Sequence, residues 1–358
     1  MRNFNTGIVI SQPSITSKVK VDFPKKVYMT QKELIYVLNN YSKIVIPFSG
    51  GKDSTLIVHL TLTAYERSRK NAEIHVVSID TYVEIPWMKR NTYAFLQKIS
   101  EWALEKGYKI YPRIVYPSPK QTFWVNLVGR GYGMPHSRFR WCVDRLKLRP
   151  MNNFLREINP DIIFLGSRMD ESKERKKNLK RRNLINKWMD YKMIKGLKAY
   201  LPIVDWSIGE VWGMLLNSTT PWGDRYLDLQ SLYINTEPCT IDYGVKCGGT
   251  RFGCWVCSLI KKDKALTGFM MSDDTEISTI AKNLLNFKEY LKEITWDYTN
   301  RYTKEDGKPG KLKLEVRKEI LDRLIVLQDT LRISVIRPFE IFAIQQIWEE
   351  EKIRMKGL

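Results

Sequence analysis

The stretch that most limits how this chain can fold is KIVIPFSGGKDSTLIVHLTLTAYE, from Lys43 to Glu66. Ile44, Val45 and Ile46 make a short β-branched run, which favours a strand. A glycine pair, Gly50 and Gly51, follows, and then an apolar-periodic segment that reads as a helix. Strand, tight loop and helix are therefore fixed within two dozen residues. The pattern repeats. NAEIHVVSIDT supplies a strand from Ile74 to Ile79 ending at Asp80. WMKRNTYAFLQKISEWALEKGYKI has helical spacing and stops at Gly107. KIYPRIVYP and IIFLGSR read as further strands. Strands alternating with helices predict an α/β fold, with a mostly parallel twisted sheet flanked by helices. Ligands in such sheets bind beyond the carboxyl ends of the strands, where FSGGKDS and LGSR both fall.

Two loops interrupt the alternation. PSPKQTFWVNLVGRGYGMPHSRFRWC is rich in Gly, Pro and aromatic residues, and SKERKKNLKRRNLINKWMDYKMIKGLK is strongly basic. From about Pro221 the composition shifts to cysteines, turns and aromatics. Beyond it KNLLNFKEYLKEITWDY, KLEVRKEILDRLIVLQDTLR and PFEIFAIQQIWEEEKIR read as amphipathic helices, with TKEDGKPGKLK a loop between them. The divisions are 1–40, an N-terminal extension; 41–215, the α/β domain; 216–270, a cysteine-rich insert; and 271–358, a helical C-terminal region. With 358 residues and 43% hydrophobic content the chain can bury a real core. It has no apolar run long enough to span a bilayer. The expected location is cytoplasmic, with no membrane partner.

Charge narrows the partners. Lys and Arg number 59 against 39 Asp and Glu, a net +20, and such an excess favours a polyanion, most commonly nucleic acid. SGGKDS, Ser49 to Ser54, suits an anion directly. Gly50 and Gly51 let backbone N–H groups approach a phosphate, the following helix adds its positive end, Lys52 adds a point charge, and Ser49 and Ser54 add hydroxyls. The spacing differs from the common P-loop.

SGGKDS resembles the PP-loop of the ATP pyrophosphatases, which cleave ATP between its α and β phosphates. SIDTYVEIP, GSRMDESKER and LPIVDWSIGEVW resemble motifs of the phosphoadenosine phosphosulfate (PAPS) reductase branch, within the adenine nucleotide alpha hydrolase-like fold. With RWCVDRLKLRP and CGGTRFGCWVCSLIKKDK, the set is similar to the sulfurtransferases of bacterial DNA phosphorothioation, DndC and its shorter relative SspD. The resemblance implies that Ser49, Gly50, Gly51, Lys52, Asp53 and Ser54 hold the phosphates of ATP with Mg²⁺. It implies that Lys52 and Asp53 serve catalysis, that Asp80 lies near the nucleoside, and that Gly166 and Arg168 close the site. Asp80 also reads as a turn or capping residue, and Arg168 as a surface ion pair.

The five cysteines are Cys142, Cys239, Cys247, Cys254 and Cys257, four of them within nineteen residues. An odd count argues against a disulfide framework. The spacing of the last four suits one Cys₄ site, either tetrahedral zinc or an iron–sulfur cubane. The resemblance implies a [4Fe–4S] cluster, with Trp255 and Val256 shielding it. Cys142 has Arg138, Arg140, Arg145 and Lys147 near it in sequence. Cations lower a thiol pKa, which predicts a nucleophile or persulfide carrier. The alternatives are a small buried hydrophobe, or a cluster ligand that frees another cysteine such as Cys239.

Arg175, Lys176, Lys177, Lys180, Arg181 and Arg182 are candidate DNA-phosphate contacts, with Trp188 and Tyr191 as stacking platforms. His59 and His75 read as packing residues; His136, before Cys142, is the one histidine near the chemistry. The expected activity is ATP-dependent sulfur transfer to the DNA backbone. Its expected partners are a cysteine desulfurase as sulfur donor, other phosphorothioation proteins and a possible second copy of the chain. Sulfonucleotide reduction is disfavoured, because the tail IRPFEIFAIQQIWEEEKIRMKGL lacks the cysteine that such reductases use. tRNA thiolation stays open.

Overall fold

The computed structural model describes residues 23–171, 177, 179, 184–234, 252–260 and 262–356. Helix α1 (Phe23–Asn40) leads into strand β1 (Lys43–Pro47), helix α2 (Lys52–Glu66), strand β2 (Glu73–Ile79), helix α3 (Pro86–Lys106) and strand β3 (Ile110–Val115). Strand β4 (Ile162–Phe164) and two short strands, β5 (Trp188–Asp190) and β6 (Lys198–Tyr200), complete a six-stranded sheet in the order β3-β2-β1-β4-β6-β5. All neighbours pair in parallel except β5, which runs antiparallel to β6. The predicted α/β class and the first four strands stand. The last two strands fall in and just after the basic stretch, whose sequence hides them.

The β-branched runs form central strands because both of their faces are covered. Ile44 and Ile46 of β1, with Ile74 and Val76 of β2, pack into a core shared with α1, α2 and α3. The intervening Val45 and Val77 face the opposite core, built on the helix Arg149–Ile158. Helix α1 contributes Leu34, Val37 and Leu38 to the first core, and Gln31 Nε2 donates to Thr63 Oγ1 of α2 at 2.8 Å. Residues from Phe23 onward are thus part of the α/β layer. Pro86 at the first turn of α3 and Gly107 at its end, with φ 65°, set that helix's limits.

A third core lies outside the sheet. It joins the aromatic-rich loop after β3, the cysteine segment and the C-terminal helices Thr275–Trp296, Leu314–Leu331 and Pro338–Lys356. Trp124 is fully buried between Trp255 and Phe287, at 5.8 and 6.3 Å between ring centres, and donates to Val335 O. Arg317 is buried and donates to Gly129 O and to Glu351. Asp263 caps the helix Lys264–Met270 through Leu266 N and pairs with the buried Lys288 of the next long helix. The three predicted C-terminal helices are present. The segment between the first two is not a plain loop: β7 (Arg301–Thr303) and β8 (Pro309–Leu312) form an antiparallel hairpin turning at Gly307, whose φ is 75°. No helix among the described residues is long and apolar enough to cross a membrane.

Glu340, at the start of the last helix, is 0% exposed and accepts from Arg337 N at 2.9 Å. Burial pushes its carboxyl up to about 7, against the hydrogen bonds from Thr122 and Arg337. The folded chain therefore holds a proton that the unfolded chain has lost. Stability from this group is present below about pH 4.5 and is lost as pH rises through about 7. Urea unfolding across that window should show a decline of up to about 3 kcal/mol, and Glu340→Gln should flatten it. An unchanged slope in the variant would exclude Glu340 as its source.

Candidate active site

The loop after β1 brings its backbone to the carboxyl edge of the sheet. Gly50 has φ +72°, and a Cβ there would collide with Thr92 Oγ1 of α3. Only glycine meets both demands. Gly51 is the N-cap of α2, and no side chain caps the helix. The first-turn N–H groups of such a helix lack intrahelical partners and favour an anion. One of them, Lys52 N, donates to Tyr233 Oη at 3.2 Å. Ser54 Oγ accepts from Ser49 N at 3.2 Å and donates to Gly51 O at 2.8 Å, which holds the loop closed.

A cavity of about 380 Å³ opens here, beyond the ends of β1, β2 and β4. Ser49, Asp53, Ser54, Asp80 and Gly166 all line it. It lies by the β1–β4 junction, where the strand order reverses and ligands bind in open α/β sheets. A Cβ at Gly166 would sit 3.7 Å from Ser54 N, so the neighbouring strand's exit packs closely on the helix start.

Asp53 is not a free carboxylate. Arg168 Nε donates to its Oδ1 at 2.7 Å, and Lys52 Nζ lies 3.3 Å from its Oδ2. Arg168 is 2% exposed and also donates to Trp206 O at 3.0 Å. It is a buried ion pair rather than a surface one, and it acts on the cavity through Asp53. Lys52 is also buried, its ammonium 5.3 Å over the ring of Tyr233.

Asp80 is 3% exposed. It accepts from Tyr82 N at 2.8 Å and from Tyr93 Oη at 2.8 Å, and pairs with Lys89 Nζ at 2.6 Å. It thus fills both roles open to it, a turn residue and a wall of the cavity. It holds Tyr82 at φ 66°, an uncommon conformation for a large side chain. Burial raises the pKa of Tyr93, and hydrogen bonds to Tyr116 and Asp80 add to it, so the phenol stays protonated. Lys89, Thr92 and Tyr93 all line the cavity from α3 and had not been singled out. Their i, i+3, i+4 spacing beside the second strand end is the signal that could have found them.

Three thiols meet in a second cavity, of about 490 Å³. Cys142, Cys254 and Cys257 line it with Lys147 and Asp263. Trp255 and Val256, each 2% exposed, pack into the third core, and Val256 also lines the cavity beside the flanking cysteines. Backbone bridges fix the segment: Trp255 N donates to Val83 O at 2.9 Å and Ile85 N to Gly253 O at 3.3 Å. Thr81 Oγ1 lies 3.3 Å from Cys254 Sγ and donates to Glu84 Oε1 at 2.8 Å. Lys147, Phe252 and Gly253 line both cavities, so the two share a wall.

The expectation of a lowered Cys142 pKa is corrected. Burial pushes its thiol up to about 11, with Cys257 adding to the rise; Lys147 opposes it. Arg145 is turned away, donating to Asn126 and to Tyr132 Oη, and Arg138 and Arg140 are exposed. Burial likewise pushes Cys254 up to about 12. Cys254, with Glu84, Cys257 and Cys142, holds the Lys147 ammonium charged against its burial.

Other expected site residues stand elsewhere. Cys239 and Cys247 lie outside the described residues, as do Arg175, Lys176, Lys180, Arg181 and Arg182; Lys177 is exposed. Among the described residues, no group of three or more His, Cys, Asp or Glu is placed to hold a metal ion. Trp188 and Tyr191 do not form a free platform. Trp188 packs 4.7 Å from Tyr200, and Tyr191 donates to Asn152. His59 and His75 are buried packing residues; burial lowers His59 to about 4.

The phosphoadenosine phosphosulfate reductase domain model matches residues 43–259, which include the whole lining of the first cavity and all of the second except Ile260 and Asp263. The chain belongs to this family. Two uncharacterized proteins of Methanocaldococcus jannaschii are 29% and 25% identical over 62% and 67% of this chain. The matches span only 38% and 46% of those relatives. A phosphoadenosine 5'-phosphosulfate reductase of Zymomonas mobilis is 24% identical over 56% of this chain and 73% of its own. Among solved structures, the U34-tRNA thiolase NcsA of Methanococcus maripaludis with its [4Fe-4S] cluster aligns at TM-score 0.38 and 16% identity, covering 76% of this chain and 81% of that one. The PAPS reductase of Candida auris aligns at 0.39 and 14%, covering 60% and 94%.

Gly50→Ala should lower ATP affinity by at least about tenfold. The left-handed φ alone costs about 1–2 kcal/mol, and the Thr92 collision adds to it. In Gly51→Ala the new Cβ meets only ordinary contacts, at 3.4 Å from Tyr233 and 3.5 Å from Ser49. That variant should keep the wild-type melting temperature. Calorimetry showing wild-type ATP binding by Gly50→Ala would exclude the loop as the phosphate cradle.

Proposed function

We propose that this protein is an ATP-dependent sulfurtransferase of DNA phosphorothioate modification. The observation that carries this reading is the shared wall between an anion-binding cavity and a thiol-lined one. ATP phosphates would lie on the α2 N-terminus and the loop Ser49–Ser54. Mg²⁺ would accompany the phosphates, since Asp53 is already paired with Arg168 and Lys52. A non-bridging oxygen of a DNA phosphate would attack the α-phosphorus, and pyrophosphate would leave. N–H donors and cations fixed where charge develops would stabilise that step. The outer sulfur of a persulfide formed with a cysteine desulfurase would then attack the adenylated DNA phosphorus and expel AMP, and a second thiolate would cleave the S–S bond, leaving the phosphorothioate and a disulfide.

The thiols suit a soft, thiolate-bound centre. Cys254 and Cys257 would hold a [4Fe–4S] cluster, completed either by Cys239 and Cys247 or by Cys142 from the same cavity with Cys239 freed and Cys247 kept. Bound there, the cluster would supply a thiophilic site beside the nucleotide. The common cavity favours Cys142 as a ligand, a reading that competes with its role as persulfide carrier. Lys147 would hold negative charge on the thiolates in either case.

Anaerobically purified protein should release AMP and pyrophosphate from ATP faster with DNA than with tRNA or alone. Lys52→Ala should cut that release by about a hundredfold or more. Stimulation by tRNA alone would move the assignment to base thiolation, and sulfite release from a sulfonucleotide would move it to reduction. Cys142→Ser separates the two thiol readings. Loss of iron and of visible absorbance would mark Cys142 as a ligand. Retained iron with lost DNA sulfur would mark it as the carrier, and full modification would exclude both.

A further inference from the structure

The loop that walls the thiol cavity has another side. Pro135 and Arg140 face the thiols, while Gly133, Met134, His136 and Phe139 line a separate cleft of about 630 Å³. Ser258 Oγ fixes the loop by donating to Pro135 O at 2.5 Å, and Trp141 Nε1 does so by donating to Gly133 O at 3.0 Å. The opposite wall is Trp296, the last residue of the long helix, and Tyr298 just after it, with the β7–β8 hairpin beyond.

Two features set this cleft apart. Its aromatic residues are exposed: Phe139 by 46%, Trp296 by 47% and Tyr298 by 72%. Single exposed aromatics are ordinary, but these three surround one cleft. Among the described residues, neither Trp296 nor Tyr298 is paired with another ring. The charged groups in the lining are also all of one sign: Arg301, Lys304 and Lys311 line it, and no carboxylate does. Arg301 is spent on the backbone, donating to Thr295 O and Gly310 O, and Lys311 pairs with Glu351. Lys304 makes no ion pair among the described residues, and Arg138 stands exposed on the loop.

We propose that this cleft docks an unpaired DNA strand, with bases stacked on Trp296, Tyr298 and Phe139 and phosphates at Lys304 and Arg138. Stacking needs open base faces, which a duplex hides, and a cationic rim tracks the backbone. The net charge of +20 suits the same partner. The choice of DNA over RNA rests on the proposed function. Because the loop also walls the thiol cavity, a strand held here would lie beside the thiols.

The test is fluorescence anisotropy of the full-length protein, without ATP, using a dye-labelled single strand of about ten nucleotides, its duplex and its RNA counterpart. The single DNA strand should bind more tightly than the duplex. Trp296→Ala and Tyr298→Ala should each weaken it by about five- to a hundredfold, and Lys304→Ala should reduce the logarithmic salt slope by about 0.7. These side chains are exposed, so melting temperatures should hold. Wild-type binding by all three variants would overturn the site, even if DNA still stimulates ATP cleavage. Variant-sensitive DNA binding without DNA-stimulated cleavage would keep the site and sink the catalytic reading. Tighter RNA binding that is lost in the same variants would overturn the commitment to DNA, and no binding of any strand would overturn the proposal outright.

Discussion

The arrangement of this protein depends on a short backbone bridge between the exit of β2 and the cysteine segment. Trp255 N to Val83 O and Ile85 N to Gly253 O are the two bonds that make it, with Glu84 and Cys254 opposite each other between them. Each bond is worth little alone, about 1 kcal/mol net. Trp255, wedged beside Trp124 in the third core, adds the apolar burial that keeps the segment in place. The result is that Cys254 stands against Thr81 and Glu84, one turn from Asp80. The cavity at the carboxyl edge of the sheet and the thiol cavity become neighbours for that reason.

The sheet supplies the other half of the geometry. Parallel strands covered on both faces leave their carboxyl ends as the open edge, and β1, β2 and β4 end together there. The loop from Ser49 must then turn sharply under α3, which the Gly50 conformation and the lack of a Cβ permit. An uncapped helix start follows at once. Buried charge is handled by pairing: Asp53 with Arg168, Asp80 with Lys89, and Asp263 with Lys288. Ions this buried are tolerated only with partners in place. The cavity is therefore prearranged, with few groups left to reorganise on binding.

Much of this was legible in the residues. Strand-loop-helix at Lys43–Glu66 and the alternation after it are short-range patterns, and the structure follows them. The membership of the PAPS reductase domain family was legible too, because its motifs are contiguous strings. Three things were not. Strands β5 and β6, three residues each in and just after a basic stretch, are held by sheet pairing, β6 to β4 and β5 to β6, rather than by their own propensity. The sequence neighbours of Cys142 suggested an activated thiol, but Arg145 bonds elsewhere, and burial sets the direction. Trp188 and Tyr191 looked like stacking platforms and are packing residues instead, whereas Trp296 and Tyr298 are exposed beside one cleft.

The sequence by itself determined the fold class, the strand–glycine loop–helix unit and the family, since each depends on residues adjacent in the chain. Tertiary structure alone decided that Cys142 shares a cavity with Cys254 and Cys257, more than a hundred residues later, and that Lys147 stands in the wall shared by the two cavities. It also decided which aromatic residues face solvent. Periodicity reports which face of an element is apolar. It carries no information on which distant segment will cover that face, and burial, pairing and charge all follow from that choice.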